Sequence, residues 1–387
     1  MRSQPICGGW GLVFVLAIGL GGCVQDGLEP NPSIKLSEKF VFMDSLMYDR
    51  FHLPLIQKYK ESFLKGISDY VVDSPWVYVS DGRTSVKIFD FSGNFVGLLG
   101  NIGEGVGEYM MPGEMFKCHD MIGVYDVQLR RFNFYKNGVY VSSFVLSFVP
   151  GGNLLEEPFC RNGFIYFAVR GYPDEAPYHL FQVDTTGRFV RAAFRMDETY
   201  RGYYHSGIFR GKIVDTGDKI AFAHSLYKKV FIFSYQLDSL GAEMMQMPEA
   251  CRQWTWEPEP MHALDDPEAH QRQLLKLHRH VHIQAPCLFI DMYPYKNFFV
   301  YSYLYGPADQ KIGYAIFWDR LNRKAYHLIG GVPRYVPQMD YLVAFEGEEE
   351  REDRWALSFF KLNLAAYERE FEEFIARYGG RGIGDSE

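Results

Sequence analysis

The sequence predicts an all-β protein, a six-bladed β-propeller with a short helical insertion between two blades and a C-terminal helix. Three observations predict it. Aromatic residues make up 17% of the 387 residues, with 27 Tyr and 32 Phe, and these types pack well on pleated, half-buried surfaces. Apolar and polar positions alternate at period 2 through short runs bounded by turn residues. The turn glycines Gly93, Gly138 and Gly187 recur at intervals of 45 and 49 residues, a spacing typical of propeller blades.

The chain opens on Arg2 and the apolar run GLVFVLAIGLGGC at 11–23, too short to span a bilayer as a mature helix and ending in two small residues before a cysteine. This predicts a lipoprotein signal over 1–22, with the mature chain starting at a lipidated Cys23. Residues 23–35, with Gly27, Pro30 and Pro32, read as a flexible tether, and the propeller occupies 36–387. No later apolar run reaches the length of a membrane span, so the expectation is a cell-envelope protein, on the outer membrane, held by its acyl chains alone.

The first blade is read from residues 76–99: strand WVYVSD, loop GRTS, strand VKIFDF, turn Ser92-Gly93-Asn94 and strand FVGLL. The same grammar returns in IGVYDV, QLRR, FNFYK and VYVSSFVL, and again in GFIYFAVR, HLFQVD and RFVRAAF. Two weaker copies follow, KIAFAHS with VFIFSYQL and FFVYSYLYG with IGYAIFWD. The interval between the fourth and fifth turns is nearly twice the period. Residues 251–282 fill it as an insertion, Pro-rich at first and then helical from about Pro267 to Leu277. A sixth blade is assembled from YLVAF and RWALSFFKL with an N-terminal strand such as KFVFMDS, so that both ends close the ring and remove the open sheet edge. Apolar residues at 364, 367, 371, 374, 375 and 378 predict an amphipathic C-terminal helix over 364–378.

The stretch VYVSDGRTSVKIFDFSGNFVGLLGNIGEGVGEYMMP resembles the NHL-type repeat of six-bladed, TolB-like propeller lipoproteins of Gram-negative gut anaerobes. The likeness is specific over 76–112, weaker over 113–250 and architectural beyond. It implies a six-bladed propeller at the cell envelope and carries no catalytic residues with it.

Composition and motifs narrow the function. A net charge of −8 leaves no basic stripe to neutralise phosphates, so nucleic acid is not an expected partner. The glycines at 100, 103, 105 and 107 lack the Gly-Lys-Ser/Thr ending of a phosphate loop and carry Glu104 and Glu108 where an anion would sit, so they read as a tight connection between blades. His278, His280 and His282 alternate without a fixed carboxylate or cysteine nearby, and neither a metal nor any other cofactor is expected. Ser-x-x-Lys at Ser62/Lys65 and Ser225/Lys228 lacks its companion motifs, and Glu257 and Glu259 read as solvated charges between prolines. Of the four cysteines beyond Cys23, Cys251 and Cys287 flank the insertion. They either form a disulfide across its neck or remain buried thiols in separate strands.

The loops joining the second and third strands and those leading to the next blade emerge on one face of the disc. Arg83, Arg130, Tyr172, Tyr203, Tyr204, His205, His224, Tyr227 and Tyr305 are assigned there, a set suited to a sugar or peptide ligand or an envelope partner protein. The expected role is non-catalytic binding. The alternative is a lyase or hydrolase working across the funnel, which a converging His–Tyr–Arg or carboxylate set would favour and a shallow aromatic floor would not.

Overall fold

The computed structural model describes residues 40–58, 60–149, 154–170, 177–197, 211–225, 227–253, 267–278, 285, 287–306, 312–330, 333–347 and 355–378. They form six sheets around an axis, each an antiparallel meander of four main strands, here lettered a to d from the axis outward. Blade 1 runs Ile67–Asp73, Trp76–Asp81, Ser85–Asp90 and Phe95–Leu98; blade 2 runs Pro112–Cys118, Met121–Asp126, Arg131–Lys136 and Val139–Val145. Blade 3 spans Leu154–Arg161 to Phe189–Arg195, blade 4 Gly211–Asp215 to Ser239–Met244 and blade 5 Cys287–Tyr295 to Lys324–Ile329. The strands read from the repeat are therefore b, c and d of blades 1 to 3 and b and c of blades 4 to 6. The a strands, which line the axis, carry less of the alternating pattern.

Blade 6 is shared by the two ends of the chain. Arg334–Val336, Tyr341–Gly347 and Trp355–Leu362 supply its inner three strands, and Met47–Leu55 pairs antiparallel with the last as the outermost. This corrects the expectation that KFVFMDS closes the ring. Val41–Phe42 instead pairs in parallel with strand d of blade 5, and Met43–Leu46 makes a single helical turn. The physical reason is burial: Val41, Met43 and Leu46 pack with Leu328, Phe360 and Tyr367 in one apolar cluster. Met47–Leu55 is mostly solvent-facing, as an outer strand allows, and tolerates Pro54 there. Closure is reinforced where Tyr70 of blade 1 donates to the Val343 carbonyl of blade 6 at 3.0 Å.

Facing blades interlock through their apolar strands, as where Phe132 of blade 2 meets Phe167 of blade 3 with ring centroids 6.0 Å apart. The turns between c and d repeat one device. Asp90 Oδ1 accepts from the Ser92 and Asn94 amides, Asp184 Oδ1 from those of Thr186 and Arg188, and Asp319 Oδ1 from those of Leu321 and Asn322. The aspartates that end strands b in blades 1 and 2 act further away. Asp126 accepts from the Met110 and Met111 amides and Asp81 from those of Lys65 and Gly66, stitching the arriving chain to its blade.

Helices cover Glu249–Gln253, Pro267–His278 and Tyr367–Tyr378, the last preceded by a 3₁₀ turn over Leu364–Ala366. Cys251 and Cys287 are paired as a disulfide with Cα atoms 5.8 Å apart, taking the bridged reading of the insertion neck. A second disulfide, Cys118–Cys160, with Cα atoms 5.0 Å apart, joins the inner strands of blades 2 and 3.

Candidate functional site

The a strands carry charge into the middle of the ring. Asp69 comes from blade 1, Glu114 from blade 2, Glu156 and Glu157 from blade 3, Lys212 from blade 4, Asp291 from blade 5 and Arg334 from blade 6. Every blade thus contributes at least one ionisable residue. Local irregularity accompanies the carboxylates: strand a slips against strand b at Ser68, at Gly113–Glu114, at Glu157–Pro158 and at Ile290. Such bulges insert an unpaired residue and re-aim the side chains beside it. Glu157 also adopts a φ of +40°, a region seldom occupied by a residue with a side chain.

The two cations bind most of this ring together. Lys212 Nζ donates to Glu157 Oε1 at 2.8 Å and lies 3.4 Å from Glu156 Oε2 and 3.8 Å from Asp291 Oδ1. Arg334 Nη1 hydrogen-bonds Asp69 Oδ1, with Nη2 3.6 Å from Glu157 Oε1 and Nε 3.8 Å from Asp291 Oδ2. The remaining Asp69 oxygen accepts the Met115 amide at 2.6 Å, and the Arg334 guanidinium lies over the Tyr70 ring at 5.5 Å. Glu114 differs: among the described residues it makes no hydrogen bond or ion pair.

Five carboxylates against two cations leave the axis electronegative, and the acidities follow. Burial pushes Asp69 above the usual carboxylate range even with Arg334 against it. Burial, then the charge of Glu157, lifts Asp291 to about 6, with Lys212 and Arg334 pulling the other way. Burial followed by the charge of Asp69 lifts Glu114 to about 8. Burial alone would lower the Lys212 ammonium, but Asp291, Glu157 and Glu156 outweigh it and hold it above the usual lysine range.

A cavity of about 230 Å³ opens against this cluster. Asp69, Glu114, Glu157 and Arg334 provide its polar wall, and Phe159, Ile213 and Val214 part of its apolar wall. In blades 4 and 5 the lining reaches Asp215 and Pro294, at the ends of strands a and next to the a–b turns. That is the face opposite the one expected to bind. Tyr293 also lines it, with only 7% of the residue exposed, and its buried hydroxyl, beside Ser302, makes no hydrogen bond of good geometry among the described residues.

The loop-face residues read from sequence do not converge on this cavity. Arg83 and Arg130 occupy the b–c turns of blades 1 and 2 in the left-handed region, at φ +62° and +52°, and Arg130 Nη1 donates to the Val149 carbonyl at 3.4 Å. His224 and Tyr305 end strands b of blades 4 and 5 and are buried, so they are strand rather than loop residues. His224 packs 5.1 Å from Tyr227 and 4.6 Å from His179, and burial, with His179 beside it, pushes its basicity well below the usual histidine value. Tyr305 lies 5.4 Å from Tyr314. Among the described members of the set, only His224 and Tyr227 are brought into ring contact. Tyr172, Tyr203, Tyr204 and His205 lie outside the described residues, as do Cys23, His280 and His282.

The glycine loop at 100–107 is occupied by its own side chains. Glu108 Oε2 accepts the Gly105 amide at 2.8 Å, and a Cβ on Gly103 would stand within contact of the same carboxylate. Arg131 Nη2 donates to the Gly105 carbonyl at 3.0 Å and the Glu108 carbonyl at 2.6 Å, pinning the crossing between blades 1 and 2.

No family model matches the chain, and no curated protein matches it. Among solved structures it is similar to a protein described as exported from Bacteroides fragilis, at 15% identity and a TM-score of 0.56, covering 84% of this chain and 97% of that one. It is similar also to a member of the DUF4221 family from Bacteroides vulgatus, at 9% identity and a TM-score of 0.56, covering 82% of this chain and 98% of that one. At these identities the likeness is one of fold, and it extends over nearly the whole of both neighbours.

Proposed function

We propose that the protein is a lipid-anchored propeller of the cell envelope that binds a small ligand at the axis of the ring without transforming it. The observation that carries this reading is the convergence of ionisable residues from all six inner strands on one cluster, of which Asp69, Glu114, Glu157 and Arg334 line a cavity of about 230 Å³. A pocket with one polar wall and one apolar wall orients a ligand and holds its apolar part. The envelope address rests on the Leu-Gly-Gly-Cys ending at Cys23 and on the likeness to a neighbour described as exported. Fractionation tests the anchor: Cys23→Ser should leave the protein unprocessed or soluble, whereas unchanged membrane association and mass would overturn it. A binding screen of glycans, peptides and small metabolites tests the site. Competition lost on mutating the axial cluster supports it, and a ligand retained by that variant but lost from Arg83→Ala moves the site to the opposite face.

A second reading has its own observation. Converging carboxylates are the arrangement that favours an acid–base enzyme, and Glu114 near 8 in the same axial cluster as Asp291 near 6 separates two protonation states at neutral pH. Four of the five carboxylates are held in ion pairs with Lys212 or Arg334, which weighs towards binding. Consumption of a bound ligand, abolished by Glu114→Gln, would establish the enzyme.

A further inference from the structure

We infer that the axial cavity takes a small organic cation, an alkyl ammonium or guanidinium compound, seated between Glu114 and the Tyr293 hydroxyl. The inference rests on axial binding as proposed above and names the class of ligand. Buried charge is tolerated when it is paired, and here the pairing stops short. Lys212 and Arg334 are each shared among several carboxylates, while Glu114 has no partner among the described residues. The protein offsets part of the excess by keeping a proton on Glu114, whose acidity burial and Asp69 weaken to about 8. A cation at that carboxylate would replace the proton and restore the balance.

Tyr293 supplies an independent sign of a missing ligand. The residue lines the cavity and is more than nine-tenths buried, and its hydroxyl makes no hydrogen bond of good geometry among the described residues, the Ser302 hydroxyl being its one side-chain neighbour of hydrogen-bonding type. An N–H donor held by Glu114 can share a proton with that oxygen. The shape of the charge favours an organic cation over a bare metal ion. Among the described residues no three carboxylates or histidines gather to hold one metal, and the acidic groups are spread along a wall that faces Phe159, Ile213 and Val214. A cationic head joined to a short alkyl chain matches one wall with each end. The cavity volume is below that of drug-sized pockets, which limits the ligand to a few carbons.

The groups facing Glu114 set the pH dependence. Burial, Asp69 and Glu156 favour its protonated form, Lys212 and Arg334 its ionised form, and Asp291 adds a second carboxylate that ionises near 6. An alkyl ammonium stays charged below about 10, so binding should strengthen from pH 6 to 8.5 as the two carboxyls lose their protons. Protons should be released on binding at pH 7.

Isothermal titration of the full chain tests this with four probes, butylammonium and butylguanidinium as cations, succinate as an anion and glucose as a neutral compound. Expected are binding of at least one cation, tighter at pH 8.5 than at 6, with heats that change with buffer ionisation enthalpy. Glu114→Gln should weaken it at least tenfold at pH 8.5, and Tyr293→Phe severalfold. The second variant also serves if the first does not fold. Succinate or glucose bound at the axis with neither cation bound overturns the cation and leaves axial binding standing. No binding by any of the four, joined to a screen in which no ligand responds to the axial cluster, overturns both. Cation binding unchanged in both variants places the cation elsewhere and overturns the inference.

Discussion

Asp90, Asp184 and Asp319 end the third strands of blades 1, 3 and 5 at the rim, whereas Asp69, Glu114 and Asp291 lie on the inner strands of blades 1, 2 and 5 at the axis. The rim carboxylates are held below their usual range, chiefly by side-chain hydrogen bonds from Asn94, Thr186 and Asn322 respectively. The axial ones are pushed above it, chiefly by burial. The residue type is nearly the same and the direction is opposite. At the rim every partner lies within four residues and the turn satisfies the charge; at the axis Arg334 reaches Asp69 across 265 residues and the supply of cations runs short. The rim aspartates therefore define local geometry, while the axial carboxylates hold an unspent attraction for positive charge.

The strongest way to break this contrast is to remove an axial cation. Lys212→Met should destabilise the protein by about 3–5 kcal/mol, the range for leaving buried charges unpaired, because Glu156, Glu157 and Asp291 lose their shared ammonium. Arg188→Met at the rim, which removes an exposed partner of Asp184, should change stability by less than about 0.5 kcal/mol. Urea denaturation of the two variants gives the comparison. Equal losses would show that the axial charges are already solvated and would remove the contrast.

A smaller effect separates the two sets by pH. The axial carboxyls bind protons in the folded state that the unfolded chain has released, so stability should fall as pH rises from about 4 to 6 through Asp291 and on to about 8 through Glu114. The rim aspartates work in the other sense: their contribution is present above pH 4 and is lost as pH falls through their lowered values. Together they predict a maximum on the acid side of neutrality. Glu114→Gln should flatten the decline between pH 6 and 8, worth of order 1–3 kcal/mol at about 1.4 kcal/mol per unit, while leaving the acid limb in place. Tm measured from pH 3 to 9 checks both limbs, and an unchanged slope between 6 and 8 in the variant would assign that limb to another group.

The same contrast explains how much the chain disclosed of itself. Strands b and c throughout, and d in blades 1 to 3, were legible because the information is local: VYVSD, VKIFDF and the Asp-x-x-Gly turn at Asp90–Gly93 state their geometry within a few residues. The c–d turn of blade 3, with Asp184 and Gly187, repeats it. The axial cluster was not legible. Its members sit in strands such as ISDYVVD and CLFIDMYPY, where a one-residue bulge at Ser68 or Ile290 changes which way the aspartate faces and period 2 no longer tells inside from outside. Convergence also needs six segments spread from Asp69 to Arg334. The adjacent Glu156 and Glu157 in the apolar run LLEEPF were the one local signal available. Two residues of the expected loop-face set lie on strands for a related reason: the b-strand end that carries Asp81 in blade 1 carries His224 in blade 4 and Tyr305 in blade 5, and those positions are buried.

The smallest effect tests whether the rim aspartates act by geometry or by charge. Asp184 Oδ1 accepts from the Thr186 amide at 2.9 Å, the Thr186 hydroxyl at 2.6 Å and the Arg188 amide at 3.0 Å, three bonds that fix the turn around Gly187. Asp184→Ala removes the acceptor and should lose about 0.5–2 kcal/mol, the range for a side-chain cap on exposed backbone amides. Asp184→Asn keeps an acceptor oxygen in the same place without its charge, so at pH 7 it should recover most of that loss. The Asn variant should also lose part of the acid limb, having no proton to take up below pH 4. At the axis the corresponding exchange, Glu114→Gln, has the opposite sign, because the amide is neutral without taking up the proton that burial, and then Asp69, force on the folded carboxyl. Thermal melts of the paired variants at pH 7 decide it: if Asp184→Asn is as unstable as Asp184→Ala, charge rather than acceptor geometry holds the rim, and the two regions differ less than their hydrogen bonds imply.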